Sequence, residues 1–596
     1  MPALMFPPNK RRALTLRTKT FADFNNGWNI RSNDLTLDPT FARRLVNCSR
    51  APDGSIQVRY GTKLFADLSD NIDDVLGVRY FNGRIIVVGA NGVIVAVDQY
   101  GAQTVIWNET IARARSLGAS GRWVDSTRVS FAEFKGELIL VDGVHKPLIV
   151  PSNFLVRYLV DIPSQSNLNT PIAPYIVTHG RYLVMASGRT LYISNIDSSG
   201  TWASDTASDG VNIDLGSRLE VGELGITGLV SFRDRLIIQF ANAMLVGQLG
   251  VYTSTTHTPD LSDPIEQFGT ACHNSISAIG DDVLFMDRYG VPSLARTLFT
   301  GVITPSRVSH LIDPEIIRQI AKNDVASLQE RAFAVLDRNE SQYMLFIPND
   351  RVRASQAETR GFIYTNIKAM KVSAWSEYRG WNWRAATRSA LGTVFFASKQ
   401  AIFEFGSINK PFARDFIGDQ ETWDDGTAWL DGTGWTPVVD DETSGIPIYF
   451  EWEWPWNDLG LRDSIKYTRH LKVDTRGTAR FTAEMFIDNI LLDSTDPGEA
   501  FTDDTLFDDG FGWSRYDLAR ALDPALSMDF VGGDRLGFGL EPLDDEFGGG
   551  RISSDEREYA WTTKFKLMKM RFSGYADRPL QFVSVTINFI GGTIRR

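Results

Sequence analysis

The feature that most constrains this chain is a hairpin pattern that returns at near-constant spacing between residues 75 and 406. From Val75 to Gly101 the order is an apolar strand, the turn Asn82-Gly83, the strand Ile85 to Val88, the turn Asn91-Gly92 and the strand Val93 to Val97. Asn-Gly between apolar runs marks a tight hairpin, because both central residues of a type I′ turn need positive φ. The same pattern recurs at Phe131 to Val150, Tyr175 to Ser194, Ile226 to Gly247, Ser275 to Ala295, Phe333 to Thr365 and Trp383 to Phe405. First turns fall at Gly83, Gly136, Gly180, Asp234, Asp281, Asn339 and Ala390, about 51 residues apart on average, within the range of propeller-blade repeats. Packing small sheets radially buries both faces of each and leaves only short edges. The expected fold is therefore mainly β, a β-propeller of six or seven blades with few helices and an additional C-terminal β-sandwich-like domain.

That second domain is read from alternating segments at Ile448 to Trp454, Tyr467 to Val473, Arg480 to Ile487, Thr562 to Phe572 and Leu580 to Ile590. The expected organisation is an N-terminal arm and docking segment with a short helix over 1–70, a propeller over 71–410, an acidic Trp/Asp/Gly-rich insertion over 411–445, and the C-terminal β domain with acidic loops over 446–596. Asp38-Pro39 is expected to cap a helix from Thr40 to Asn47, and Asp313-Pro314 one from Glu315 to about Gln329, since Asp suits the N-cap and Pro the first helical position.

Charge is unevenly spread along the 596 residues, whose formal balance is -12. Residues 1–50 hold 9 Lys and Arg against 3 Asp and Glu, whereas 411–560 hold 12 against 34. DNA-gripping domains carry a basic stripe, so the acidic stretch argues against tight phosphate binding while allowing a surface past which DNA moves. Solvated acidic loops that maintain solubility are the alternative. Cys48 and Cys272 are too few for a disulfide framework and are not spaced for a metal. No apolar run reaches the length of a membrane span, and the basic residues follow the opening prolines, the wrong order for a secretory signal. Synthesis in a cytoplasm is expected.

The catalytic inventory is thin: no phosphate-binding Gly-x-x-x-x-Gly-Lys loop, no His-Glu-x-x-His, no Gly-x-Ser-x-Gly elbow and no dinucleotide fingerprint. The six histidines, His145, His179, His257, His273, His310 and His470, are scattered singly. Cys272 and His273 are adjacent, and neighbours on a strand point to opposite faces, which is poor geometry for a nucleophile and its base. Trp452, Trp454 and Trp456 share one strand face and are either a sugar-stacking platform or core. Thr422-Trp-Asp-Asp-Gly-Thr-Ala-Trp429 resembles the Asp-box of sialidase-type propellers, a structural hairpin without catalytic role. As a calcium loop it fails, because Trp423 and Gly432 fall at ligand positions. No catalytic residue, metal or cofactor is expected.

Several short motifs, in order, carry a family resemblance. Asn26-Gly27-Trp28, Leu37-Asp-Pro-Thr-Phe-Ala-Arg-Arg-Leu-Val-Asn47 and Gly54-Ser-Ile-Gln-Val-Arg-Tyr-Gly61 resemble the opening of tail nozzle and tail-tube proteins of short-tailed bacteriophages (podoviruses), the tail tubular protein B-like family. Phe268-Gly-Thr270, Asp287-Arg-Tyr-Gly-Val291, Ala374-Trp-Ser376, Gly460, Lys466 and the ending Phe589-Ile-Gly-Gly-Thr-Ile-Arg-Arg596 also fit. The acidic stretches 411–444 and 493–550 depart from the family pattern.

The resemblance implies a structural virion protein without enzymatic activity. It implies a homo-oligomer, six copies in a ring, forming the channel through which double-stranded DNA leaves without sequence-specific binding. Further implied partners are a head-to-tail adaptor or portal-proximal ring and tail fibres or spikes. Under that reading Asp424, Asp425, Asp440, Asp441, Glu442, Asp503, Asp504, Asp508 and Asp509 line the channel or its exit. Lys10, Arg11, Arg12, Arg17 and Lys19 dock against an acidic neighbouring ring. A propeller-type polysaccharide-binding or glycoside-degrading tail protein, using the Trp and Asp clusters, is the alternative.

Overall fold

In the computed structural model, residues 16–592 are described except 115–122, 160–169, 203–209, 217–224, 249–259, 295–306, 350–357, 368–371, 416–445, 489–512, 518–528, 531–553 and further stretches of one to three residues. The chain divides into two compact units, Tyr60–Pro447 and a second made of Met1–Arg59 with Ile448–Arg596.

The first unit is a β-propeller whose strands form seven antiparallel blades among the described residues. Blade one is Val75–Phe81, Arg84–Gly89, Ile94–Val97 and Gln103–Trp107. Blade two is Ser130–Phe134, Glu137–Val141, Leu148–Val150 and Arg157–Tyr158, and blade three is Tyr175–His179, Tyr182–Ser187, Thr190–Ile193 and Val211–Asp214. Blade four comprises Gly228–Phe232, Arg235–Gln239 and Ala243–Gln248, with Asp260–Leu261 and Ile265–Glu266 on its last strand. Blade five is the slightest, Ser277–Ile279 and Asp282–Leu284 continued by single bridges from Leu284 to Ser293 and Pro292 to Arg307. Blade six is Phe333–Asp337, Gln342–Asn349, Glu358–Ile367 and Val372–Trp381.

Blade seven closes the ring from both ends of the unit. Ala385–Arg388, Val394–Ala397 and Ala401–Phe405 are completed by Thr62–Asp67, which pairs antiparallel with Ala401–Phe405. This corrects the assignment of residues 62–67 to an N-terminal arm. Closure is tight where that strand begins, for the Gly61 amide donates to the Phe412 carbonyl at 2.7 Å and the Gly406 amide to the Gly61 carbonyl at 3.0 Å. A Cβ on Gly61 would lie 1.9 Å from the Arg414 carbonyl oxygen, so only glycine fits.

The turn chemistry explains the blades. Asn82 and Gly83 both have positive φ, 45° and 80°, and Phe81 faces Arg84 across a two-residue loop. Lys135 and Gly136, at 51° and 76°, do the same between Phe134 and Glu137. Each second strand is almost wholly buried, because apolar clusters fill the space between successive sheets. One cluster joins blades one and two through Phe81, Ile86, Trp107, Leu138 and Leu148. Another joins six and seven through Phe346, Trp381, Trp383 and Phe396.

Both helix expectations need correction. Phe41–Ala42 and Arg44–Val46 are short strands, not a helix. The Asp38 carboxylate accepts from the Thr40 amide at 2.9 Å, the local bond an N-cap makes, but Gly27–Trp28 and Glu451–Glu453 offer ladders that win. The second helix is two: Asp313–Ile320 and Val325–Arg331. Asp313 does not cap; its carboxylate takes the Ser309 hydroxyl, whereas Asp324 caps the second helix through the Ser327 amide at 2.6 Å. Among the described residues no helix is long and apolar enough to cross a membrane.

The second unit is a β-sandwich built from both chain ends. One sheet runs Ser554–Ala560, Ile465–Arg476, Gln581–Gly592, then Leu16–Phe21 on the upper part of that last strand and Ile56–Val58 with Cys48–Arg50 on the lower. The other includes Arg44–Val46, the strand ending at Glu453, Met568–Ala576 and Ala479–Asp488. Phe582 from the first sheet meets Trp452, Phe481 and Phe572 of the second with ring centroids 5.2–5.8 Å apart. Such aromatic pairs add to the area they bury.

Candidate functional site

The chemistry-bearing groups of the propeller gather where the chain enters the first strands of blades two to six. Arg128 precedes blade two by two residues, Tyr175 opens blade three, Leu229 lies in blade four, a 3-10 turn His273–Ser275 leads into blade five, and Ala332 precedes blade six. The Arg128 Nη1 donates to the Glu330 carbonyl, and its guanidinium sits 6.0 Å from the Phe333 ring. The Asn274 side-chain amide lies against the same guanidinium, and with its oxygen turned that way it accepts from Nε at 2.7 Å and Nη2 at 3.3 Å. Blades two and six are not neighbours in a seven-membered ring. The Arg128 contacts with Glu330 and Phe333 therefore bring non-adjacent blades together across the middle of the propeller.

Around this contact the side chains are held neutral. His273 packs its ring 5.2 Å from that of Tyr175 and accepts the Leu229 amide on Nδ1 at 3.3 Å. Burial, and secondarily the nearby Arg128 charge, push its pKa down to about 4. Burial pushes Tyr175 up to about 12. Cys272 is buried, donates to the Ala332 carbonyl at 2.9 Å, and is pushed above the usual thiol range by that burial. The thiol's bond goes to the Ala332 carbonyl and the imidazole Nδ1 takes the Leu229 amide, so these bonds do not join the two side chains as nucleophile and base. Here the adjacency belongs to a 3-10 turn and not to the strand expected from sequence.

The neutral imidazole makes stability pH-dependent. Its folded pKa lies below the unfolded value of about 6.5, so the unfolded chain binds the extra proton first. Stability is fully present above pH 6.5 and falls as pH drops towards 4. The loss expected from this residue is of order 2–3 kcal/mol. Urea unfolding of the wild type and His273→Gln between pH 4 and 7 checks it: the variant should lose most of this slope.

Elsewhere, residues of catalytic type meet in structural arrangements. The Ser126 hydroxyl donates to the Asp142 carboxylate at 2.5 Å, and His145 Nδ1 lies 2.6 Å from the same oxygen. The carboxylate thus stands between serine and imidazole, so the histidine has no access to the hydroxyl as a base. Glu315 and Glu377 converge on Arg360, which bonds Glu315 at 2.7 Å and Glu377 through Nε at 2.6 Å. Two carboxylates clamped by a buried guanidinium are ion-paired anchors, not an acid and base across a sugar. The Trp stripe is core: Trp452, Trp454 and Trp456 are 0%, 2% and 8% exposed. Among the described residues no group of three His, Cys, Asp or Glu could hold a metal. A cavity of about 260 Å³ lies beside the two helices, lined by apolar groups such as Ile317, Ile320, Val325 and Leu328 together with Arg288 and Thr270.

Of the residues expected to line a channel, Asp424, Asp425, Asp440, Asp441, Glu442, Asp503, Asp504, Asp508 and Asp509 all lie outside the described residues, as does the Asp-box-like segment. So do Lys10, Arg11 and Arg12. Arg17 and Lys19 are exposed on the strand Leu16–Phe21. The axial group Arg128, Tyr175, His273 and Asn274 had no sequence signal, since its members come from separate blades.

No protein-family model matches the chain, and no curated protein matches it. Among solved structures it is similar to PorZ, a surface component of the type-IX secretion system of Porphyromonas gingivalis, at 14% identity over 60% of this chain and 40% of that one, TM-score 0.33. It is also similar to a streptogramin B lyase at 12% identity over 58% and 98%, TM-score 0.36, and to the WD40 domain of Neurospora crassa Pan2 at 10% over 59% and 97%, TM-score 0.34. The chain thus spans less than half of the PorZ structure. The class defined by the strand pairing itself is a seven-bladed propeller joined to a β-sandwich.

Proposed function

We propose that the chain is a tail nozzle subunit of a short-tailed bacteriophage, a non-enzymatic wall element of a ring through which the genome leaves the particle. The observation that carries this reading is the ordered set of motifs running through both units, whose residues hold the architecture. Trp28 is buried and donates to the Arg43 carbonyl at 3.0 Å. Asn47, at φ 52°, donates to the Tyr449 carbonyl at 2.8 Å and accepts from Arg59 at 3.0 Å. Trp375 donates to the Val308 carbonyl at 3.0 Å, and the buried Lys466 donates to the Lys566 and Ser464 carbonyls. The motifs by which the chain resembles that family thus coincide with positions a shared fold would need.

The contact across the propeller bears on where DNA would go. Arg128 and Asn274 meet near the middle of the propeller, and in this reading the passage is formed between several copies. Six copies at -12 each carry -72, and a wall that repels phosphate avoids the contacts that slow sliding.

Two measurements test the proposal. The purified full chain should have the mass of a ring of about six and should leave host surface polysaccharide uncleaved; a monomer that depolymerises glycan would overturn it. In assembled particles, converting Asp424, Asp425, Asp440 and Asp441 to lysine should slow DNA ejection about tenfold at low ionic strength and less as salt rises. Unchanged ejection from normally assembled particles would remove these residues from the channel.

A further inference from the structure

Three asparagines in the chain precede glycine: Asn26, Asn82 and Asn91. The order matters chemically, because the amide nitrogen after an asparagine can attack the side-chain carbonyl, and glycine has no side chain to hinder it.

The fold treats the three differently. Gly27 is buried in a strand paired with Phe41, and the Asn26 side chain donates to the Thr40 hydroxyl at 2.7 Å. Gly92 is buried, its amide donates to the Gly89 carbonyl at 3.0 Å, and a Cβ there would lie 2.7 Å from the Trp123 carbonyl oxygen. The Asn91 side chain is held at both ends, donating to the Asn71 carbonyl at 2.8 Å and accepting from the Val93 amide at 3.3 Å. At the tip of the first hairpin of blade one, by contrast, Asn82 and Gly83 are both exposed. Nothing lies within 4 Å of where a Cβ on Gly83 would stand, and among the described residues no group accepts from its amide. The Asn82 side chain has one bond among them, from Nδ2 to the Ser152 carbonyl at 3.1 Å.

We infer that Asn82 is the site at which the folded chain deamidates spontaneously, and that the change loosens the first hairpin of blade one. The turn has to leave its left-handed conformation before the atoms meet, and an exposed tip opens at lower cost than a buried strand. In alkaline solution the Gly83 nitrogen gives its proton to hydroxide and bonds to Asn82 Cγ. The bond from Cγ to Nδ2 breaks, ammonia leaves, and a five-membered succinimide remains. Water then opens the ring. Cleavage at Cγ leaves an aspartyl side chain on an unchanged backbone, whereas cleavage at the main-chain carbonyl carries the chain through Cβ and Cγ as an isoaspartyl link. One water is consumed and one ammonia released, with no change of oxidation state.

Either product loses the donor to Ser152 and adds a negative charge at the tip. The isoaspartyl form goes further. Phe81 and Arg84 face each other across two residues, and an extra backbone atom in so short a loop breaks that register. Both side chains pack on Phe154, in the loop before the last strand of blade two, with ring centroids 6.4 Å apart for Phe81 and the Arg84 guanidinium 4.7 Å from the ring. The seam between blades one and two therefore loosens as well.

The test holds the full folded chain in alkaline buffer made with heavy-oxygen water. Trypsin cuts after Arg79 and Arg84, so Asn82 falls in the peptide Tyr80–Arg84, whereas Asn26 lies in Thr20–Arg31 and Asn91 in Ile85–Arg113. Mass spectrometry should find the 80–84 peptide labelled about tenfold faster than the other two, while in urea, with the fold removed, all three convert at comparable rates. Amide exchange across 75–89 should quicken as the wild type ages and stay constant as Asn82→Gln ages. Labelling of Asn26 or Asn91 in the folded chain as fast as that of Asn82, or an Asn82 that converts only in urea, overturns the site. Full conversion with exchange across 75–89 unaltered overturns the loosening.

Discussion

Replacing Arg360 by leucine should destabilise the propeller by about 3–5 kcal/mol, the usual loss when one partner of a buried ion pair is removed. Arg360 is 5% exposed and lies on the third strand of blade six. It bonds Glu377 through Nε and Nη2, Glu315 at 2.7 Å and the Gln319 side-chain oxygen at 3.1 Å. Without it, Glu377 keeps Arg379 at 2.6 Å and Glu315 keeps Arg318 at 2.7 Å, both of them more exposed cations. Glu315 and Gln319 belong to the helix Asp313–Ile320, so that helix should also lose its anchor on the blade. Urea unfolding measures the loss, and amide exchange in 313–320 should quicken before the rest of the unit. Pairing Arg360→Met with Glu377→Leu should recover part of it, since the more deeply buried of the two stranded carboxylates is removed while Glu315 keeps Arg318. A single variant as stable as wild type would mean that the network adds nothing to folding.

Trp381→Ala should cost a similar amount, about 3–5 kcal/mol, by opening a cavity between blades six and seven. Trp381 is 3% exposed, and its ring centroid is 5.5–6.3 Å from those of Phe346, Tyr378, Trp383, Phe396 and Phe405. These side chains come from both sides of the seam, so no single blade can relax to fill the space. Trp381→Phe should cost less than half as much, because an aromatic ring remains in the gap. Thermal unfolding of the three proteins distinguishes a packing role from a local one: a small effect of the alanine variant would show that the seam collapses around it.

The blades were legible because their turns are local. Asn82-Gly83 and Lys135-Gly136 fix positive φ within two residues, and the apolar runs on either side need no distant information to be read as strands. What depends on distant partners was not legible. Thr62–Asp67 has no hairpin turn linking it to Ala401–Phe405, so nothing near it announces a blade. Asp38-Pro39 begins with the same side-chain bond in a turn as in a helix, and the choice was made by ladders at 27–28 and 451–453. The stop after Ile320 was hidden because Asp324 restarts a helix four residues later. The axial group escaped for a further reason: Arg128, Tyr175 and His273 are single residues from three blades, and only the radial fold brings them together. The exposure of Trp452 depended on Phe24, Phe572 and Phe582 covering it, which periodicity alone could not show.

The closing strand of blade seven sets an order of events during synthesis. Thr62–Asp67 leaves the ribosome before any blade exists, yet its partner Ala401–Phe405 is among the last parts of the unit to be made. Contacts so far apart in the chain form slowly, because the intervening segment must first be brought to a common end. Until then the early strand is an unpaired edge of the kind that draws other chains into misassembly. The growing chain therefore holds six blades' worth of structure in waiting until Phe405 has emerged.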